Sequence, residues 1–410
     1  MPILNHSHID FNFLQIDHSK ELYFLYILRF INDIISRLAG FFIPLFLFSF
    51  RDQIPVLALL PFSDFQKGIF IVLTYYFVLR LSTLLTSILS GKIIAKLGTR
   101  FSILISFLFQ STWLLSLNSS QSHPYFLILA AISSGIHINF FFTPFYTMLS
   151  RYTQKRHTSQ DLSVIELILQ LISVVTPALG GLIIVILGYD TLFLLSLIGV
   201  IFGLVIACLM ETHHFDHAPT LSEFIAWMKE KSYQKLVISY TGRYINDGAL
   251  VLWPLYVFIL VGSIVKVGYL YSLSLFLAMV IVVVTGFYVD HQKSRKPFFL
   301  SGGILSLIWL IKTQIISIWG IAIVDTINKL TSSFHWLYYD SLFMRRAKGS
   351  KDLHFFVYRE FVTSLIAIIF WASLLPLFLL PFNWSGVFVF AAFGVILSLM
   401  VNDKYEQKEE

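Results

Sequence analysis

The sequence predicts an all-α protein that crosses a membrane many times, and three observations lead to this fold class. Of the 410 residues, 57% are apolar and only 13% are charged, whereas soluble proteins contain roughly 25% charged residues. The apolar residues form continuous runs of the length that a helix needs to cross the hydrocarbon core. These runs show no alternation of apolar and polar residues, which argues against the strands of a membrane barrel.

Twelve apolar runs are long enough to be transmembrane helices. They lie at about residues 22–50, 68–90, 101–118, 124–150, 162–187, 189–210, 236–261, 266–289, 298–316, 318–342, 356–380 and 384–402. The predicted units are therefore two six-helix halves, at 22–210 and 236–402, joined by a polar central loop at 211–235. Short tails at 1–21 and 403–410 complete the chain.

Basic residues concentrate in the loops on one side of the predicted membrane. The loops at 91–100, 151–161, 211–235, 290–297 and 343–355 carry 16 Lys and Arg, whereas the opposite loops carry only Arg51, Lys67 and Lys266. Because cytoplasmic loops retain positive charge, we expect both termini to be cytoplasmic, as in a multi-pass protein of the plasma (inner) membrane. The net charge of +6 thus indicates orientation, and we expect no nucleic-acid partner.

The two halves share an internal repeat. Arg29 and Asp33 in the first span recur, with the same spacing, as Arg243 and Asp247 in the seventh. Further matches follow in the same order: Gly91 with Gly286, Arg100 with Arg295, Arg151 with Arg345, and Glu166 with Glu360. Two similarly oriented repeats predict a transporter architecture with an axis along the membrane normal and a substrate site between the halves.

Three short stretches resemble signatures of the major facilitator superfamily. Residues 91–100 read Gly-Lys-Ile-Ile-Ala-Lys-Leu-Gly-Thr-Arg, similar to the family's loop signature G-x-x-x-D-[RK]-x-G-R-[RK] but with Ala95 in place of the aspartate. A second copy begins at Gly286 and keeps Asp290, but has Lys293 in place of a glycine. Residues 176–181, Thr-Pro-Ala-Leu-Gly-Gly, resemble the G-P-x-x-G-G signature of the family's antiporters, with the first glycine replaced.

This resemblance implies a secondary transporter that works by alternating access, with a gate at its cytoplasmic side. When that side is closed, Glu166 and Glu360 are expected to pair with basic residues of the adjoining loops; otherwise they are solvated interfacial carboxylates. The residues that the resemblance assigns to the gating motifs are Gly91, Lys96, Gly98, Arg100, Arg151, Glu166, Pro177, Gly180, Gly181, Gly286, Asp290, Arg295, Arg345 and Glu360.

Ionisable residues inside the spans are candidates for a functional site, because lipid tolerates them poorly. In spans 1 and 7 an Arg and an Asp are i,i+4 neighbours on one helix face, about 10 and 16 Å from the end of the span by the helical rise. They predict a site for substrate and coupling ions; the alternative is that each pair only neutralises itself. The candidate residues are Arg29, Asn32, Asp33, Arg37, Arg80, Arg243, Asn246, Asp247, Asp325 and Lys329.

Other polar residues in or near the spans receive more ordinary interpretations. Arg80 needs a partner from another helix, either Asp33 or Asp325. Lys312 and Arg359 lie near span ends, so we expect their charged groups to reach the interface. His137 is either a hydrogen-bonded core residue or a proton carrier. The histidines at 213–217 predict a solvated linker rather than a metal site.

The sequence contains no H-E-x-x-H, G-x-S-x-G or phosphate-binding loop, so we expect no enzymatic activity, metal or cofactor. Transport would then be driven by a gradient, with Asp33 and Asp247 as candidate proton carriers. The span 5 signature favours proton-coupled efflux of a small amphipathic molecule. The alternatives are uptake or exchange of an organic anion such as an organophosphate, because deep cations outnumber deep acids, and a transporter-like sensor or lipid-handling scaffold. We expect a monomer whose partners are a small substrate, protons and the lipid bilayer.

Overall fold

The computed structural model describes residues 20–152, 158–291, 296–347, 351–380 and 383–401, with side chains described except at 58, 158–168, 280–291 and 345. Within these ranges the chain is helical between short connections and contains no strand, which confirms the all-α prediction. The helices are α1 (Lys20–Gly40), α2 (Ile43–Phe48), α3 (Asp64–Leu97), α4 (Thr99–Ser120), α5 (Phe126–Tyr152), α6 (Thr158–Leu209), α7 (Leu221–Met228), α8 (Lys231–Val261), α9 (Ile264–His291), α10 (Lys296–Lys312), α11 (Ile318–Ala347), α12 (Asp352–Leu379) and α13 (Asn383–Ser398).

Seven helical stretches among the described residues are long and apolar enough to cross a membrane. They are Lys20–Asp52, Asp64–Leu97, Thr99–Ser120, Phe126–Tyr152, Leu169–Leu209, Lys231–Val261 and Asp352–Leu379. Two shorter apolar helices accompany them, at Ile264–Met279 and Asn383–Ser398. The chain is therefore a multi-pass membrane protein, and the count of twelve spans stays a prediction.

Breaks in the helices occur where the backbone needs an unusual residue. Gly98 has a φ of +87° between α3 and α4, and Gly188 has a φ of +84° within α6; only glycine adopts such angles without strain. The kink at Gly188 falls between the predicted fifth and sixth spans. The first predicted span is also divided, into α1 and α2, and Pro44 lies in the first turn of α2, where no N–H donor is needed.

Two groups of helices, α1–α6 and α8–α13, meet mainly along two helix pairs. Within the groups, α4 packs on α5, α1 on α6, and α8 on α13; between them, α6 packs on α9 and α3 on α12. The approach of α6 to α9 is close, since a Cβ on Gly268 would lie 2.4 Å from the carbonyl oxygen of Pro177. We call the side with residues 98, 152 and 210–230 the basic end, and the other side the opposite end.

Candidate substrate cavity

A cavity of about 300 Å³ lies between the two groups of helices. Its lining runs from Asp247 and Leu250, in the middle of α8, to Leu149 and Met344, near the basic ends of α5 and α11. Five basic and two acidic side chains contribute to the wall: Arg29, Arg37, Arg243, Lys329, Arg359, Asp247 and Asp340. Aromatic and apolar side chains form much of the remainder, including Phe145, Tyr146, Trp336, Leu337 and Phe343.

On the side of the cavity formed by α1, one buried carboxylate forms ion pairs with two arginines. Asp33 Oδ1 lies 3.2 Å from Arg29 Nε, and Asp33 Oδ2 lies 3.4 Å from Arg37 Nε. Arg29 also packs over the rings of Phe142 and Phe145 on α5, at 5.0 and 5.6 Å from their centres. Asp33 does not line the cavity, although both of its arginines do.

On the opposite wall, Arg243 bridges two carboxylates. Its Nε donates to Asp247 at 3.0 Å, and its Nη1 donates to Asp340 on α11 at 3.4 Å. The guanidinium also lies over Trp336, 4.2 Å from the ring centre. The predicted i,i+4 contact with Asp247 therefore forms, and α11 adds a second acid that sequence analysis did not identify.

Two asparagines from the predicted site support these walls from behind. Asn246 accepts a hydrogen bond from the indole of Trp309 and donates one to Asp247. Asn32 accepts one from Gln110 on α4 at 3.2 Å. Neither asparagine lines the cavity, so both hold neighbouring helices in place.

Arg359 corrects an expectation from the sequence. It was expected to reach the interface as a residue near a span end, but it lines the cavity and packs over Tyr146 and Phe343, at 4.9 and 5.0 Å from their ring centres. These rings come from helices far apart in sequence, so spacing along α12 could not reveal them. Asp340 was not among the predicted site residues, because it lies two residues from the predicted end of its span.

Arg80 also differs from its prediction. Its guanidinium lies over the ring of Tyr244, 4.9 Å from the centre, and among the described residues neither Asp33 nor Asp325 pairs with it. Tyr244 in turn accepts a hydrogen bond from Trp371 at 2.7 Å. Arg80 therefore belongs to an aromatic contact between α3, α8 and α12, and it does not line the cavity.

Asp325 and Lys329 do not form the i,i+4 pair that their spacing suggests. Lys329 Nζ donates to the hydroxyl of Tyr271 at 2.6 Å, while Asp325 Oδ1 lies 4.0 Å from Lys312 Nζ. Lys312 was expected to reach the interface, but it is fully buried. The sequence placed Lys312 near a span end without showing that α8 and α11 cover it.

At the basic end, an ion pair connects the two groups of helices. Arg151, at the end of α5, donates to both carboxylate oxygens of Asp352, at the start of α12. Tyr146 and Phe356 stack beside this pair, with ring centres 5.8 Å apart. The predicted gate thus has an arginine from the expected loop, but its acidic partner is Asp352.

Of the two glutamates of the predicted gate, Glu360 is described, and it does not pair with Arg151. Glu360 lies 3.9 Å from its neighbour Arg359, and Arg100 donates to the carbonyl of Met210 at 3.5 Å. Arg295 lies outside the described residues; Gly286 and Asp290 lie on α9, Arg345 on α11 and Glu166 on α6, where their side chains are not described.

The glycines of the loop signature allow the central loop to pack against the helix ends. A Cβ on Gly91 would lie 2.4 Å from Pro219 and 2.9 Å from Val357, and one on Gly98 would lie 2.2 Å from Thr212. The carbonyl of Lys96 contacts His214 Nδ1 at 3.2 Å. The signature therefore lies where the central loop, α3 and α12 meet.

The central loop continues into the short helix α7, which docks on α12. Glu223 accepts hydrogen bonds from Thr220 and Tyr358 and lies 3.5 Å from His354. Partial burial favours a higher pKa for Glu223, but the Thr220 hydrogen bond and the charges of His354 and Lys351 outweigh it and lower that pKa. The loop thus contacts both groups of helices.

The span 5 signature lies at a close crossing between α6 and its neighbours. A Cβ on Gly180 would lie 2.7 Å from the ring of Phe42, and one on Gly181 would lie 3.2 Å from the carbonyl of Ile264. Pro177 offers its carbonyl to the face of α9 at Gly268. Packing alone accounts for these small residues.

The histidines singled out by sequence bind other protein atoms. His137 is buried, with Nδ1 at 3.0 Å from the carbonyl of Ser106 and its ring stacked on Phe141. His213 contacts the hydroxyl of Tyr152 at 2.8 Å, and its backbone N–H donates to Thr99. These contacts favour structural roles for both side chains.

Comparisons with known proteins agree with this architecture. The sequence model of the Major Facilitator Superfamily matches residues 25–350. The fold is similar to the human organic anion transporter MFSD10 (TETRAN), with a TM-score of 0.70 and 11% identity over 93% of this chain and 99% of that one. It is also similar to a bacterial homologue of the iron transporter ferroportin in the outward-facing state, with a TM-score of 0.68 and 12% identity over 95% of this chain and 100% of that one. The search of curated proteins gave no match.

Proposed function

Because this chain belongs to the Major Facilitator Superfamily and is a transporter rather than an enzyme, we propose that its substrate is a small amphipathic organic anion. The observation that carries the proposal is the charge of the cavity wall, where five cations face two carboxylates. Two further acids lie behind the wall: Asp33, which pairs with Arg29 and Arg37, and Glu360, which lies 3.9 Å from Arg359. Counting both still leaves an excess of one positive charge among the described residues. Buried charge without compensation is costly, so an anionic substrate would complete the site.

The remaining lining favours an anion with an apolar body. Trp336 and Phe145 lie beside Arg243 and Arg29 respectively, so a carboxylate or phosphate bound to the arginines would place its carbon skeleton against aromatic rings. Binding sites commonly combine a few charged groups with an apolar wall in this way. The fold similarity to a protein named as an organic anion transporter supports the same substrate class.

We further propose that transport occurs in the plasma (inner) membrane, by alternating access of a monomer with both termini cytoplasmic and with proton coupling. The density of Lys and Arg at the basic end supports this orientation. In a Cys208→Ser background, cysteines at the exposed positions Gln53 and Ser122 should react with an impermeant thiol reagent applied to intact cells, and cysteines at Lys96 and Glu230 should not. The reverse pattern would place the basic end outside. Export remains the predicted direction, on the basis of the span 5 signature.

A ligand panel tests the substrate class directly. Thermal unfolding of the purified protein would be followed with benzoate, succinate and glycerol 3-phosphate, and with neutral glucose and cationic tetraphenylphosphonium for comparison. Because a ligand that binds only the folded state raises its stability, at least one anion should stabilise the protein. Arg243→Gln should abolish that shift, while Arg51→Gln, at the opposite end and outside the cavity, should preserve it. Stabilisation by the cation alone would contradict the proposal.

A further inference from the structure

A buried charged cluster lies within α8, α10 and α11, separate from the lining of the cavity. Lys312, the last residue of α10, is fully buried, and Asp325 and Asn328 on α11 are 2% and 1% exposed. The ammonium lies over the rings of Trp253 and Trp309, at 3.9 and 4.2 Å from their centres. None of these five residues lines the cavity.

Four polar atoms of this cluster lack hydrogen-bond partners. Among the described residues, Lys312 Nζ, Asp325 Oδ1 and both amide atoms of Asn328 are buried without a partner. The 4.0 Å between Lys312 Nζ and Asp325 Oδ1 is too long for a direct hydrogen bond. A buried water needs two to four polar partners, and these atoms offer that number. A water that bridged these atoms would satisfy them and would provide a relay for a proton.

The charges of the cluster do not balance when both lysines carry protons. Asp325 is the ion-pair partner of Lys312 and lies one helical turn from Lys329, with which it forms no direct ion pair. The cluster and its neighbour Lys329 therefore contain two ammonium groups and one carboxylate.

The other side chains around these ammonium groups are Tyr271, which accepts a hydrogen bond from Lys329, and Tyr256, which stacks on Trp253. The charge of Arg37 also acts on Lys329, but Arg37 has its own carboxylate partner in Asp33. With two ammonium groups and one carboxylate, loss of one proton from a lysine balances the charge.

We infer that Lys312 is a proton-binding site of the transport cycle. In the release step, an N–H bond of the ammonium breaks, its electron pair stays on nitrogen, and the proton passes to the bridging water and then to solvent. Lys312 becomes a neutral amine, and Asp325 remains a carboxylate that compensates Lys329. Uptake reverses these steps.

Lys329 lines the cavity and lies one helical turn from Asp325, so it links the proton site to the substrate site. This coupling of proton and anion rests on the proposed function. An anion bound beside Lys329 would compensate its charge, which leaves Asp325 to compensate a protonated Lys312. Anion binding should therefore favour uptake of one proton, and by thermodynamic linkage a bound proton should favour anion binding to the same extent. Anion and proton would travel in the same direction, so an inward proton gradient would drive uptake of the anion, in contrast to the export that the span 5 signature predicts.

The proton site is tested without any substrate. Proteoliposomes on a solid-supported membrane would receive a step in external pH, and the transient displacement of charge would be recorded. Lys312→Arg keeps the positive charge and the ring contacts but does not release its proton, so the transient should be lost. Lys266→Arg, at an exposed position on α9, is the matched control and should retain it. Equal transients in the Lys312→Arg variant and the wild type, or no transient in the wild type, would overturn the inference.

If Lys312→Arg does not fold, the double variant Lys312→Met, Asp325→Asn takes its place in the same charge-displacement measurement, because it removes both charges together. A folded double variant should give no transient, and a transient of wild-type size would overturn the inference.

Adding benzoate to weakly buffered protein with a pH indicator tests the coupling between proton and anion. Proton uptake by the wild type, and its loss in Lys312→Arg, are expected. A pH transient without benzoate-driven uptake would retain the proton site and reject its coupling to that anion.

Discussion

Asp33 illustrates how the charges of the cavity depend on their partners. It is the shared counterion of Arg29 and Arg37, and its side chain is only 6% exposed. Two roles follow from this position: it either neutralises the arginines or carries a proton during transport. The two roles predict different behaviour when the carboxylate is replaced by an amide of the same size.

If Asp33 is a counterion, Asp33→Asn should lower the unfolding temperature, because breaking a buried ion pair costs roughly 3–5 kcal/mol. The double variant Asp33→Asn, Arg29→Gln should recover part of the loss, as measured by thermal unfolding. A protein of unchanged stability that exchanges substrate but no longer accumulates it would instead assign the coupling proton to Asp33.

Arg359 offers a second comparison at the level of single residues. Arg359→Gln removes a cation from the cavity wall, so the affinity for a bound anion should fall by roughly tenfold, which corresponds to about 1.4 kcal/mol. Arg359→Lys keeps the charge but loses the planar contact with Tyr146 and Phe343, so a smaller loss is expected. Isothermal titration with the stabilising anion measures both, and unchanged affinity in Arg359→Gln would remove it from the site.

Sequence predicted two charge pairs that lie within one helix, was wrong about a third, Asp325–Lys329, and missed those that join different helices. Arg29–Asp33 and Arg243–Asp247 follow from i,i+4 spacing, which local helix geometry fixes. The contacts of Arg243 with Asp340, and of Lys312 with Asp325, depend on how separate helices pack. A single sequence contains no periodicity from which such partners can be read.

At the scale of helices, hydropathy did not predict where each helix begins and ends. Helix α3 spans Asp64–Leu97, beyond the predicted 68–90, because Ser63 and Gln66 form a capping box at its start. The division between α1 and α2 was not predicted, since residues 41 and 42 are both Phe and continue the apolar run.

Glycine substitutions test the packing of individual helices. In Gly242→Ala, the new methyl group would meet the carbonyl oxygen of Gly394 at 2.3 Å, where α8 crosses α13. Backbone atoms cannot move aside easily, so a loss of about 1–3 kcal/mol is expected. Gly303→Ala on α10 meets no atom within 4 Å and should be neutral or stabilising by up to about 1 kcal/mol. Thermal unfolding of both variants makes the comparison, and equal effects would contradict the close crossing.

At the scale of the whole molecule, the two groups of helices touch on both sides of the cavity. Towards the opposite end, α6 meets α9 at Gly268 and Pro177. At the basic end, Arg151 and Asp352 join α5 to α12 just beyond Leu149 in the cavity wall. Alternating access requires these contacts to form and break in turn, so each biases the population of one state.

The ion pair at the basic end can be tested through the accessibility of the cavity. A cysteine at Ser332, which lines the cavity, would be introduced into a Cys208→Ser background and labelled with a polar thiol reagent. Arg151→Gln removes a contact between the two groups and should raise the rate of labelling. Because Arg151 is 43% exposed, the pair contributes roughly 0.5–1 kcal/mol, which corresponds to about a two- to fivefold increase.

Lys67→Gln supplies the control for this experiment, since its pair with Asp64 lies within α3 at the opposite end and joins no second helix. Its labelling rate should equal that of the parent. If Arg151→Gln also labels at the parent rate, the pair with Asp352 does not limit opening of the basic end. The stacked rings of Tyr146 and Phe356 would then be the next contact between α5 and α12 to test, because they lie between the ion pair and the cavity.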